Sequence, residues 1–216
     1  MGTITRSLSN NITTGGVILP AGITNSSVSA VTSFANASGG TLILLSTQTA
    51  SASATISFTT GLDSTYDEYI FKFINIHPAT DTADFTFNMS TDGGSNYNVT
   101  KTTSFFRANH LEDDTFTQLA YDTAHDLAQG TGFQTLAKDA GSDSDENSSG
   151  SLTLFNPSST TYVKHFICSI SSSNDYPAES TQFMAGYGNT TSAVNAVQFK
   201  MSSGNFDGTI LMYGIV

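Results

Sequence analysis

From Thr41 onward, short runs in which apolar and polar residues alternate recur about every 10–15 residues, and turn-forming residues separate them. A period of two places successive side chains on opposite faces, so each run fits a half-buried strand and not a helix. The densest run is residues 68–76, rich in aromatic and β-branched side chains and closed by Pro78. Ala54, Ile56 and Phe58 form a shorter run, and Phe85, Phe87 and Met89 another. Asp92-Gly93-Gly94 then supplies turn chemistry before a further β-rich run over residues 97–106, a pattern that predicts a hairpin. Later runs cover residues 152–155, 162–170, 182–187, 196–201 and 209–215. Nine or ten short strands with no helices between them predict an all-β fold, an antiparallel β-sandwich of jelly-roll-like type.

Composition supports the same reading. The chain has 216 residues, of which 30 are Ser, 32 Thr, 15 Asn and 18 Gly, all weak helix formers. Residues 111–136 carry the one stretch compatible with a helical turn, and Gly130 and Gly132 interrupt it; a long connection with one short helix is expected there. Residues 139–147 hold four acidic side chains and read as a solvated loop. Residues 1–40 differ from the rest, with a single charge at Arg6 and no sustained period, and are expected to form an extended N-terminal arm held by neighbouring subunits or its own domain. The domain reading is thus an arm over residues 1–40 and a sandwich over residues 41–216.

Charge excludes several functions. Seven Lys and Arg stand against 18 Asp and Glu, a net charge of −11, which leaves no basic footprint for nucleic acid. No stretch approaches the roughly 20 apolar residues of a membrane span. The opening residues 1–6 lack the apolar core of a secretory signal, which implies use without classical secretion. Cys168 stands alone and forms no internal disulfide.

Catalytic and ligand motifs are sparse. The chain has no Gly-X-Ser-X-Gly elbow, no His-Glu-X-X-His helix, no phosphate loop and no dinucleotide fingerprint. Asp143-X-Asp145-X-Asn147 opens like a calcium loop, but Ser148 and Leu154 stand where glycine and glutamate are required. His110 with Asp113 and Asp114, and His125 with Asp122 and Asp126, are the groupings that could form a site; isolated polar loop residues are the commoner outcome. Glycosidase chemistry needs two facing carboxylates, and glutamate is scarce. Tyr176 and Tyr187 are the aromatic side chains placed to stack on a glycan, against ordinary roles as a turn residue and as a core or interface residue. No catalytic, cofactor or metal residue is assigned.

Residues 61–69 (Gly-Leu-Asp-Ser-Thr-Tyr-Asp-Glu-Tyr), residues 90–94 (Ser-Thr-Asp-Gly-Gly) and residues 203–215 (Ser-Gly-Asn-Phe-Asp-Gly-Thr-Ile-Leu-Met-Tyr-Gly-Ile) resemble the β-domains of structural proteins from marine tailed phages, including short-tailed cyanophages and pelagiphages. The resemblance covers residues 41–216 and carries no site residues across. It implies a non-enzymatic virion protein, a tail fibre or spike module contacting a host-surface glycan or protein receptor. A capsid decoration protein is the close alternative, and a carbohydrate-binding module is a third reading. It further implies attachment to other virion proteins through residues 1–40, a homotrimer, and assembly in the host cytoplasm with release by lysis. Interface burial would then account for the fifteen phenylalanines.

Overall fold

The computed structural model describes residues 42–216, together with the backbone of two short paired strands, β1 (Ile12–Thr13) and β2 (Gly16–Val17). The arm expected over residues 1–40 lies otherwise outside the described residues.

Twelve strands follow: β3 (Leu42–Ser53), β4 (Ile56–Phe58), β5 (Glu68–Pro78), β6 (Ala83–Ser90), β7 (Lys101–Leu111), β8 (Thr117–Tyr121), β9 (Gln134–Ala140), β10 (Ser148–Phe155), β11 (Lys164–Ser173), β12 (Ala178–Gly188), β13 (Ala196–Met201) and β14 (Phe206–Ile215). Every pairing is antiparallel. One sheet has eight strands in the order β3-β14-β5-β10-β11-β12-β7-β8, and the other has four in the order β4-β13-β6-β9. The fold is an all-β antiparallel sandwich, as the alternation requires.

The inner faces meet in a phenylalanine core. Phe199 of β13 has five phenylalanine rings around it, Phe58, Phe71, Phe73, Phe85 and Phe87, at centroid distances of 5.2–6.4 Å. These rings come from both sheets, so a single residue ties the two layers together. Truncating a fully buried aromatic of this kind costs about 3–5 kcal/mol. Nine of the fifteen phenylalanines are buried within this one chain, which corrects the expectation that interface burial explains their number.

Two local expectations are also corrected. The run 85–89 and the run 97–106 do not form a hairpin: β6 belongs to the four-stranded sheet and β7 to the eight-stranded one. Gly93 and Gly94 do take positive φ, at 72° and 90°, but the connection crosses the sandwich. Crossing lets Phe85 and Phe87 pack on Phe73 and Phe166 of the opposing sheet, with ring centroids 5.2 and 5.1 Å apart; side-by-side pairing would set these faces next to each other instead. Residues 111–136 contain no helix. A tight turn at residues 112–115, closed by the Leu111 N–H to Phe116 carbonyl bond of 3.0 Å, returns the chain as β8 along β7. The acidic stretch begins later than expected, because Asp139 and Ala140 belong to β9.

Candidate functional site

The densest group of ionisable side chains lies where the β7 side of the large sheet approaches β6 and β9 of the small one. Arg107 projects from β7, Lys138 and Asp139 from β9, and Asp84 from β6; Asp122 and His125 come from the loop after β8. His125 Nδ1 lies 3.0 Å from Asp122 Oδ1 and its Nε2 lies 3.4 Å from Asp84 Oδ2. Asp122 Oδ2 meets Lys138 Nζ at 3.4 Å and Arg107 Nε at 3.8 Å, and Asp139 Oδ2 meets the same two cations at 3.3 and 3.6 Å. The His125 backbone carbonyl accepts the Gln134 amide at 2.8 Å, which holds the loop down.

The electrostatics follow from these contacts. The Asp84 hydrogen bond raises the His125 pKa above 6.5, against partial burial and with help from Asp122. Burial works against the Asp122 charge, yet the His125 hydrogen bond, the Ala124 amide and nearby cations hold it down to about 2. Both ring nitrogens of His125 are engaged by carboxylates, so neither is free to take a proton from a substrate. The arrangement is an ionic staple between the sheets. Of the sequence groupings, His125 and Asp122 are brought together, whereas Asp126 instead accepts the Tyr121 hydroxyl at 2.7 Å. His110 meets Asp114 at 3.0 Å on the exposed rim, while Asp113 caps Thr115. Asp84, Arg107, Lys138 and Asp139 had no local sequence signal, because they converge from separate strands.

Two lysines lie inside the sandwich. Lys101 and Lys164 both stand opposite Gly188 of β12, one on each neighbouring strand. The glycine leaves room for Met89 and Val99, which a Cβ there would meet at 2.8 and 3.0 Å. Lys101 Nζ donates to Asn88 Oδ1 at 2.6 Å and to the Val99 carbonyl at 2.8 Å; Lys164 Nζ donates to the Tyr162 and Thr190 carbonyls at 2.6 and 3.2 Å. Among the described residues neither has a carboxylate partner. Burial lowers both pKa values, that of Lys101 to about 7. A lysine so tuned is a capable nucleophile, but Lys101 is 0% exposed and meets no solvent.

Surface hollows among the described residues border these groups and the sheet face. Glu112, Asp143, Asp145, Glu146 and Asp175 line one of about 430 Å³ together with Tyr176. Burial, with Asp139 and Asp81 nearby, raises the Asp175 pKa. Asn174 also borders this hollow, and both polar atoms of its buried side-chain amide lack hydrogen-bond partners among the described residues. Among the described residues no three His, Cys, Asp or Glu side chains are grouped to hold a metal ion. A second hollow, about 510 Å³, runs from His110 to Asn147. The third is an open, mainly apolar trough of about 560 Å³ bordered by Thr102, Ser104, His165, Ile167, Ala185 and Tyr187. Tyr187 is half-buried there with the His165 ring 5.8 Å away. Tyr176 lies in the bend before β12 and Tyr187 near that strand's far end; the nine residue steps of strand from Ala178 to Tyr187 span about 30 Å at about 3.3 Å per residue, so no single sugar ring touches both.

The fold and these groups define an all-β sandwich protein whose charged clusters brace the structure. The chain matches no family model, no curated protein and no solved structure.

Proposed function

We propose that the chain is a non-enzymatic structural component of a tailed-phage virion: a tail fibre or spike module, assembled as a homotrimer, attached to other virion proteins through residues 1–40 and touching the host surface. The supporting observation is that two of the stretches carrying the resemblance pack as one unit. The Tyr66 ring lies directly over Gly214, Gly61 approaches the Met212 side chain, and the Tyr69 hydroxyl donates to the Asp63 carbonyl at 3.1 Å. The resemblance therefore follows a three-dimensional unit, the loop before β5 laid on β14. A low-charge, Ser/Thr-rich surface suits a particle that must stay wettable outside a cell.

The test is immunogold labelling of particles from a phage lysate in which this chain is expressed, using antibodies to the purified protein. Label on the tail is expected. Label over the head shell replaces the fibre by a decoration protein, and its absence from particles overturns the virion reading.

A further inference from the structure

We infer that the outer face of the eight-stranded sheet is a self-association surface, on which a second copy of this chain packs. The inference is independent of where in a virion, or whether in one, the protein serves.

Of the eleven large hydrophobic side chains exposed among the described residues, eight belong to strands of this sheet: Leu42, Leu44, Ile74, Phe106, Leu119, Tyr121, Ile167 and Phe183. The register sets most of them in two ridges. Leu44, Tyr213 and Ile70 are cross-strand neighbours on β3, β14 and β5, with Ile74 on the same face. Phe183, Phe106 and Tyr121 are directly opposite one another on β12, β7 and β8, the two phenylalanine rings stacked at 5.1 Å. Between the ridges, β10 and β11 present Ser149, Ser151, Ser169 and Ser171, small side chains that form a valley with Ile167 on its border. A face carrying ridge, valley and ridge side by side is complementary to itself: a ridge of one copy seats in the valley of the next.

Charge and area point to the same occupant. The three cross-strand rows that contain Ile167, Ser169 and Ser171 carry Lys72, and the Glu179 carboxylate reaches in from the next row to accept from Ser171 and Thr181; no other formal charge stands along them, although the chain carries 18 acidic residues. Another acidic copy approaching this face meets one cation, Lys72, and one carboxylate, Glu179, far less like charge than the chain's composition would bring. Eight strands about 4.8 Å apart and ten residues long give a face of roughly 1,100 Å², above the ~800 Å² that each partner contributes to a standard stable interface. Apolar side chains gathered into ridges on an exposed sheet face mark interaction sites.

The experiment is the solution mass of the full chain by light scattering at tens of micromolar. The wild-type protein is expected well above the 22.7 kDa of one chain. Ile167→Lys and Phe183→Lys are expected to return it to the one-chain mass with an unchanged circular-dichroism spectrum. Leu119→Lys, at a side chain 75% exposed on the rim strand, provides the same readout without touching the fold. Tyr162→Lys, 70% exposed but outside the sheet, should leave the assembly intact. A one-chain mass for the wild-type protein overturns the inference, since another occupant would then have to cover the face. Association insensitive to all three face substitutions also overturns it, assigning the contact to strand edges or to residues 1–41.

Discussion

Lys101→Met is expected to stabilise this protein at pH 6 and to lose that advantage by pH 10.5. The wild-type ammonium is 0% exposed, has two hydrogen-bond acceptors for three donors, and meets no carboxylate among the described residues. Its pKa is pushed down from 10.5 to about 7 by burial. At about 1.4 kcal/mol per pH unit, that difference corresponds to roughly 5 kcal/mol of disfavour for the charged form in the folded state. The direction follows from proton counting. Between pH 7 and 10.5 the unfolded chain binds the proton that the folded chain has released, so stability rises with pH in that window. Below pH 7 both states are protonated and the full penalty applies. Methionine removes the charge and fills much the same volume. It leaves the Val99 carbonyl without the lysine donor, at about 1–3 kcal/mol, whereas Asn88 Oδ1 still accepts the Met89 N–H at 2.9 Å. The net expectation is a gain of roughly 2–4 kcal/mol at pH 6, combining these opposing magnitudes. Urea unfolding of both proteins from pH 6 to 10.5 measures it, and the difference between them isolates this one group from the tyrosines and other titrating residues. A variant less stable at pH 6, beside a wild-type curve flat between pH 7 and 10, would refute the reasoning and show that the amine is neutralised by an unseen partner.

The staple and the glycines give three further expectations. Because the His125 pKa is raised, its contribution to stability is fully present below pH 6.5 and fades as pH climbs through the folded value; in Asp84→Asn the His125 NMR titration midpoint should fall toward the ordinary value, and an unmoved midpoint would deny Asp84 its part. At Gly150 of β10 an added methyl would strike the Ser169 carbonyl oxygen and lie 2.7 Å from Ile170 Cα, so Gly150→Ala should cost about 3 kcal/mol or more in urea unfolding. Gly132→Ala, with nothing within 4 Å of the new carbon, should change stability by less than about 0.5 kcal/mol.

Strand identity was legible in the sequence because a period of two is a local signal, and the runs at 68–76, 85–89, 152–155 and 196–201 all lie in strands. Sheet membership was not. Asp92-Gly93-Gly94 offers a turn to a hairpin and to a crossing between sheets alike, and only the demand that Phe85 and Phe87 bury against Phe73 and Phe166 of the facing layer decides between them. The staple was half visible: His125 and Asp122 are three residues apart, but Asp84 lies 41 residues away and the cations on two further strands. The buried lysines did leave a signal. Lys101 shares parity with Thr103 and Phe105, and Lys164 with Phe166, Cys168 and Ile170, so the alternation that puts those apolar side chains inside puts both amines there too. Tyr176 and Tyr187 were paired by residue type alone; their separation is set by the length of β12.

The distribution of cations bears on how such a chain can associate at all. Every Lys and Arg among the described residues is engaged: Lys101 and Lys164 lie inside, Arg107 and Lys138 in the staple, Lys200 lies 4.3 Å from the centre of the Phe133 ring, and Lys72 lies 5.7 Å from that of Tyr213. Lys72 is the one exposed cation among these, so the solvent-facing charge of the sandwich is mainly negative, and two copies repel until close contact. Contact through a nearly uncharged sheet face is favoured by apolar burial, which salt leaves largely intact, while the long-range repulsion is screened within about 8 Å at physiological ionic strength. Association should consequently strengthen as sodium chloride rises from 10 to 300 mM, measured as the concentration at which light scattering finds half the chains assembled. An interface built on ion pairs would move the other way, because the same screening weakens the attraction that holds it together. Weakening with salt would thus return the contact to the charged edges of the sandwich and remove the sheet face from consideration.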